Sequence, residues 1–150
     1  MEENLQDKKD KLTESIVSMY DNKELLVKII DFFPYPIQIF SLDGTAKIIN
    51  DATLKMIGIK KRENHVGKYN VFKDPIIQEL GCMDEVKQVL DGKTVYLKDF
   101  NAPYRRMKDF FDLEEKEVKT ISSDITCFPL YNNEGVMEHF AAVFVFKKIY

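Results

Sequence analysis

The chain contains no tryptophan, two cysteines, two histidines and six glycines. Cys82 and Cys127 lie far apart and form neither a zinc motif nor a disulfide framework. No apolar run approaches the roughly 20 residues needed to span a bilayer. The longest, Phe140 to Phe146, has the length of a strand. The opening residues Met1-Glu2-Glu3-Asn4 are acidic and polar, unlike the basic start of a secretory signal. A reducing cytoplasm is the expected location, and no membrane partner is expected. The net charge is -3, and the basic cluster Arg105, Arg106 and Lys108 is soon followed by Asp109, Asp112, Glu114 and Glu115. Without a clustered basic patch, direct nucleic-acid binding is not expected.

What is present fits one soluble domain. A chain of 150 residues with 45% hydrophobic and 31% charged residues has an ordinary globular composition. At this length roughly 68–70% of the unfolded surface is buried on folding, so no metal or disulfide is required. Leu5, Leu12, Met19, Leu26 and Phe33 recur every seven residues, and Ile16 and Ile30 widen the same stripe. This predicts helix over residues 2–33, with a break near Asp21-Asn22 and an end at Pro34 and Pro36. The period then changes. Ile37 to Ser41 alternates as a strand, with Ile37 and Ile39 on one face. Asp43-Gly44 marks a tight turn, and residues 46–50 return. Asn50 or Asp51 caps a short helix from Ala52 that Gly58 ends.

Pro75 starts another short helix, and Met83 to Leu90 a clearer one. Strands follow at 93–100, 118–130 and 136–146, the last two joined by a turn at Asn132 to Gly135. Residues 104–117 are a charged insertion with Met107, Phe110 and Phe111 on an apolar side, expected to form a flap over the fold. Two groups of strands flanking a helical middle imply an α+β fold: one five-stranded antiparallel sheet with short helices on one face, and an N-terminal helical extension.

Four stretches in this order resemble the PAS domain family over about residues 32–147. They are Pro36-Ile-Gln-Ile-Phe-Ser-Leu-Asp-Gly44, Asn50-Asp-Ala52, Val66-Gly-Lys-Tyr-Asn70, and the closing strands around Asn132 to Gly135. The resemblance implies a sensory domain of a bacterial or archaeal signalling or transcription regulator. Such a domain binds a small ligand or a protein partner and is not itself an enzyme. No nucleophile beside a base, phosphate loop or metal cluster is legible in the sequence. The output domain would lie outside these 150 residues. The alternative is a PAS domain serving mainly as a dimerisation or docking module.

The cofactor is not identified by the residues. A light-oxygen-voltage flavin adduct would need a cysteine where Asn70 stands. A haem member would need a histidine on the helix at 83–90, which has none. His65 is expected to be an exposed loop histidine and His139 a strand-end one. A small, apolar, non-covalent ligand is expected between the sheet and the 66–90 helices. Candidate contacts are Ile39, Ile48, Tyr69, Asn70, Val86, Leu90, Leu97, Ile125, His139 and Val143. Residues 1–31 are expected to be a dimerisation or signal helix, separate from a PAS domain at 32–150. Leu5, Leu12, Ile16, Met19 and Leu26 would form its homodimer seam.

Overall fold

The computed structural model describes residues 4–21, 23–108, 113–114 and 120–149. Two helices open the chain, α1 (Leu5–Asp21) and α2 (Lys23–Phe32), with the expected break between them. Strands β1 (Ile37–Ser41) and β2 (Ala46–Ile49) form a hairpin. Three short helices follow: α3 (Asp51–Ile57), α4 (Pro75–Glu79) and α5 (Met83–Lys87). Strand β3 (Val95–Pro103), helix α6 (Tyr104–Lys108), and strands β4 (Thr120–Tyr131) and β5 (Met137–Ile149) complete the chain. The five strands form one sheet in the order β2-β1-β5-β4-β3, and every pairing is antiparallel.

Local chemistry explains the boundaries. The Asn50 side chain accepts from Thr53 N at 3.1 Å and so caps α3. Gly58 ends that helix in the left-handed region, at φ 80°, and its N–H bonds to Leu54 O. Asp74 caps α4 with Pro75 at the first helical position. At the β1–β2 turn Gly44 has φ 91°, and a Cβ there would lie 2.5 Å from the Phe72 ring. Only glycine allows that turn to close on the segment beneath it.

Two clusters make up the core. One stacks Phe40 on Phe140, with ring centroids 5.1 Å apart, and adds Val71, Val86, Val89, Leu97 and Ile125. The other gathers Ile49, Ile57, Ile76, Ile121 and Tyr104. Of the 104–117 insertion, Tyr104, Met107 and Leu113 belong to this second cluster. Tyr104 is 1% exposed, and its hydroxyl donates to Glu114 O at 2.7 Å. Met107 and Leu113 are buried beside it, and Leu113 bridges to Ile59. Phe110 and Phe111 lie outside the described residues.

Two expectations are corrected. In β1 the covered face carries Gln38 and Phe40, whereas Ile37 and Ile39 lie on the other face. Ile39 pairs with Ile48 and Ala141, so an apolar row runs across the open side of the sheet. After α5 the chain tightens into a 3₁₀ turn at Gln88–Asp91, which keeps Val89 inward and turns Leu90 out. In β4 a register shift at Ser122/Ser123 accompanies the burial of both serines.

Candidate functional site

Strand alternation and three short turns converge on a cavity of about 90 Å³ between the sheet and the helices. Its floor is apolar: Leu97 from β3, Ile125 and Cys127 from β4, Ala142 and Phe144 from β5. Val86 of α5, Ile57 of α3 and Met107 of α6 close other sides. One wall is polar and consists of Gln38, His65, Tyr69 and Asp74.

That wall is built locally. Residues 62–64 form a 3₁₀ turn, and Tyr69 N then bonds to His65 O at 2.9 Å. This turn sets the His65 and Tyr69 rings against each other, with centroids 4.6 Å apart. His65 Nε2 meets Gln38 Oε1 at 3.1 Å, so the imidazole donates from Nε2. Tyr69 OH donates to Asp74 Oδ2 at 2.5 Å, while Asp74 Oδ1 accepts from Ile76 N as the α4 cap. Burial pushes the His65 imidazole down to about 4, which keeps it neutral at pH 7. Burial, and then the Asp74 carboxylate, push the Tyr69 phenol well above its usual range. Burial likewise pushes the Cys127 thiol up to about 12, so it is not a thiolate.

Of the sequence-derived candidates, Tyr69, Val86, Leu97 and Ile125 border this cavity. The others are placed elsewhere. Ile39, Ile48 and Val143 sit on the opposite sheet face, where Ile37 pairs with Val143. Leu90 is 40% exposed after the 3₁₀ turn. Asn70 is a stitch: it accepts from Phe72 N at 3.0 Å and donates to Asp43 O at 2.9 Å, tying the hairpin to the segment below. His139 pairs in register with Ser41 and Leu130, away from the cavity. Gln38, His65 and Asp74 were not among the candidates. The expected exposed loop His65 is in fact 4% exposed, because its turn folds back over β1. A glutamine inside an apolar strand and an Asp-Pro helix start are the sequence signals for Gln38 and Asp74. His65 has none.

The site is tied to the N-terminal helices. The Asn50 amide donates to Ile30 O at 3.1 Å and Tyr35 O at 2.8 Å, while its carbonyl accepts from Ile37 N at 3.0 Å. Arg62, three residues before His65, pairs with Asp31 of α2 at 3.3 Å and with Asp51 of α3 at 2.7 Å. Along α1 and α2, Leu5, Leu12 and Leu26 are exposed, as are Leu25, Ile29 and Phe32. The side chains of Ile16 and Met19 lie outside those described.

A five-stranded antiparallel sheet in this order, with short helices over one face and a cavity between, matches solved PAS domains over most of the chain. The fold is that of a PAS domain. The PAS domain of BvgS from Bordetella pertussis superposes with a TM-score of 0.56 at 19% identity, covering 85% of this chain and 88% of that one. VqmA of Vibrio cholerae, described as a dimer among LuxR-type receptors, gives 0.60 at 15%, covering 84% and 52%. This chain thus spans about half of that longer protein. An RNA-binding light-oxygen-voltage receptor gives 0.61 at 14%, covering 83% and 32%. No family model and no curated protein sequence matches the chain. Similarity at these identities carries the PAS fold and leaves the ligand to the site itself. Among the described residues, no group of three or more His, Cys, Asp and Glu side chains could hold a metal ion. Nor is any described helix long and apolar enough to cross a membrane.

Proposed function

We propose that this chain is the sensory PAS module of a signalling regulator, and not a catalytic unit. Its cavity takes a small non-covalent ligand, and helices α1 and α2 carry the response to an output domain or partner regulator. The observation that carries this reading is the partly open cavity between sheet and helices, apolar over most of its surface and polar on one wall. At about 90 Å³ it is well below the roughly 300–1,000 Å³ of sites for drug-sized ligands, which argues against haem or flavin. VqmA has been described bound to DPO, which lends support to a small-molecule role for this fold.

The relay would run through two links already in place. Arg62 couples the His65 turn to Asp31, and Asn50 holds the end of α2 to β1. A ligand that shifts Gln38 also shifts His65, to which it is bonded, and with it the turn that carries Arg62. Residues 1–31 then act as a separate signal and dimerisation helix beside the sensory domain at 32–150. Exposed Leu5, Leu12 and Leu26 favour a homodimer, because an apolar helical stripe in water needs a partner surface.

Native mass spectrometry of gently purified protein tests the ligand. A bound small molecule supports sensing, and bare polypeptide that binds nothing in a metabolite extract favours the docking alternative. Sedimentation of the full chain beside one beginning at Asp31 tests the helix. Loss of the dimer on truncation is expected. Two monomers, or two equally stable dimers, would remove the helix from the interface.

A further inference from the structure

The polar wall has one hydrogen-bonding group left over. Gln38 is 3% exposed and borders the cavity. Its carbonyl is taken by His65 at 3.1 Å. A primary amide also carries N–H donors, and among the described residues nothing accepts from those of Gln38. Every fully enclosed side-chain polar atom among the described residues has a partner, so the Gln38 N–H₂ end must border the open space of the cavity. An amide donor facing an apolar void is costly until an acceptor is supplied.

Charge narrows the class further. Asp74 lines the cavity, and both of its oxygens are engaged, by Tyr69 OH and by Ile76 N. Among the described lining residues there is no lysine or arginine, and the neighbouring imidazole is neutral at pH 7. An anionic ligand would therefore be buried beside a carboxylate with no countercharge, a strongly unfavourable arrangement. Size sets the third limit. A cavity of about 150 Å³ takes benzene, with its six heavy atoms, so about 90 Å³ corresponds in proportion to roughly four heavy atoms.

We propose that the ligand is a small uncharged molecule with an apolar body and one hydrogen-bond acceptor, a carbonyl or ether oxygen, which receives the Gln38 N–H₂. This rests on the cavity being a ligand site, and it names the chemistry that site selects. Gln38 is the specificity-determining residue. The His65 contact holds its carbonyl and thereby aims the donor end inward.

The test is an NMR titration of the full chain, following the methyl groups of Val86 and Ile125, with three probes of four heavy atoms each: acetone, isobutene and acetate. Both neutral probes are expected to bind and acetate not to. Gln38→Met should lower the ketone-to-alkene affinity ratio about tenfold, the equivalent of one hydrogen bond, while alkene binding persists. Gln38→Glu keeps an oxygen towards His65 and removes the N–H₂. It should lower the ratio likewise, which covers the case of a poorly folded methionine variant. An unchanged ratio in both variants, or acetate binding as tightly as acetone, overturns the acceptor class and leaves the cavity reading standing. If neither neutral probe shifts any cavity methyl at saturating concentration, the cavity is not a ligand site and both readings fail.

Discussion

Acid should unfold this domain through His65 before its carboxylates titrate fully. The imidazole is 4% exposed, packed against Tyr69 and bonded to Gln38. Burial lowers its pKa from 6.5 to about 4. The folded state therefore resists protonation that the unfolded chain accepts. Above about 6.5 both states carry a neutral imidazole, and stability is undiminished. As pH falls from there towards 4 the unfolded state binds the extra proton, and stability is lost progressively. A gap of that size corresponds to about 3 kcal/mol, a large fraction of the roughly 5–15 kcal/mol that a domain possesses. The assay is urea unfolding followed by far-ultraviolet circular dichroism between pH 4 and 7.5, on the wild type and on His65→Gln. Carboxylate effects are common to both proteins and cancel in the difference. The wild type should lose about 3 kcal/mol more than the variant across that window. Equal losses in the two proteins, or an NMR titration that places His65 near 6.5, would refute the buried neutral imidazole.

Three other outcomes follow from the packing. Asn50→Ala removes the α3 cap and strands the groups at Ile30, Tyr35 and Ile37, so denaturation should show a loss of about 2–4 kcal/mol. Tyr104→Ala should cost about 3–5 kcal/mol and Tyr104→Phe about 1 kcal/mol, a ratio that a mobile flap would not give. A thiol-labelling time course should modify half-exposed Cys82 first and buried Cys127 only on unfolding, and equal rates would contradict the position of β4 in the core.

How much of this was legible in the sequence depended on how local the cause was. The β1–β2 turn at Asp43-Gly44, the Asn50 cap, the Gly58 stop and the break between α1 and α2 all rest on contacts within a few residues. They stood in the sequence at nearly their observed positions. The order of these elements also carried the antiparallel sheet and the PAS resemblance. The faces were not legible. In β1 both Ile39 and Phe40 are apolar, and period-two alternation cannot say which side is covered. The choice was made by β5, whose Phe140 stacks on Phe40. One wrong face moved Ile39, Ile48 and Val143 out of the predicted site and left Gln38 unnoticed.

By itself, then, the sequence determined where helices and strands begin and end, because caps, prolines and glycines act on their immediate neighbours. It also determined the fold class, because spacing limits how such elements can pair. Only the tertiary structure decided what the cavity contains. Gln38 lies 27 residues before His65, and nothing beside His65 in the sequence marks it as buried. The polar wall depends on a turn at 62–64 folding over β1 and on Asp74 presenting one oxygen to its own helix and the other to Tyr69. Desolvation is a property of everything packed around a group, so a loop histidine becomes a neutral buried one only once the chain has closed over it.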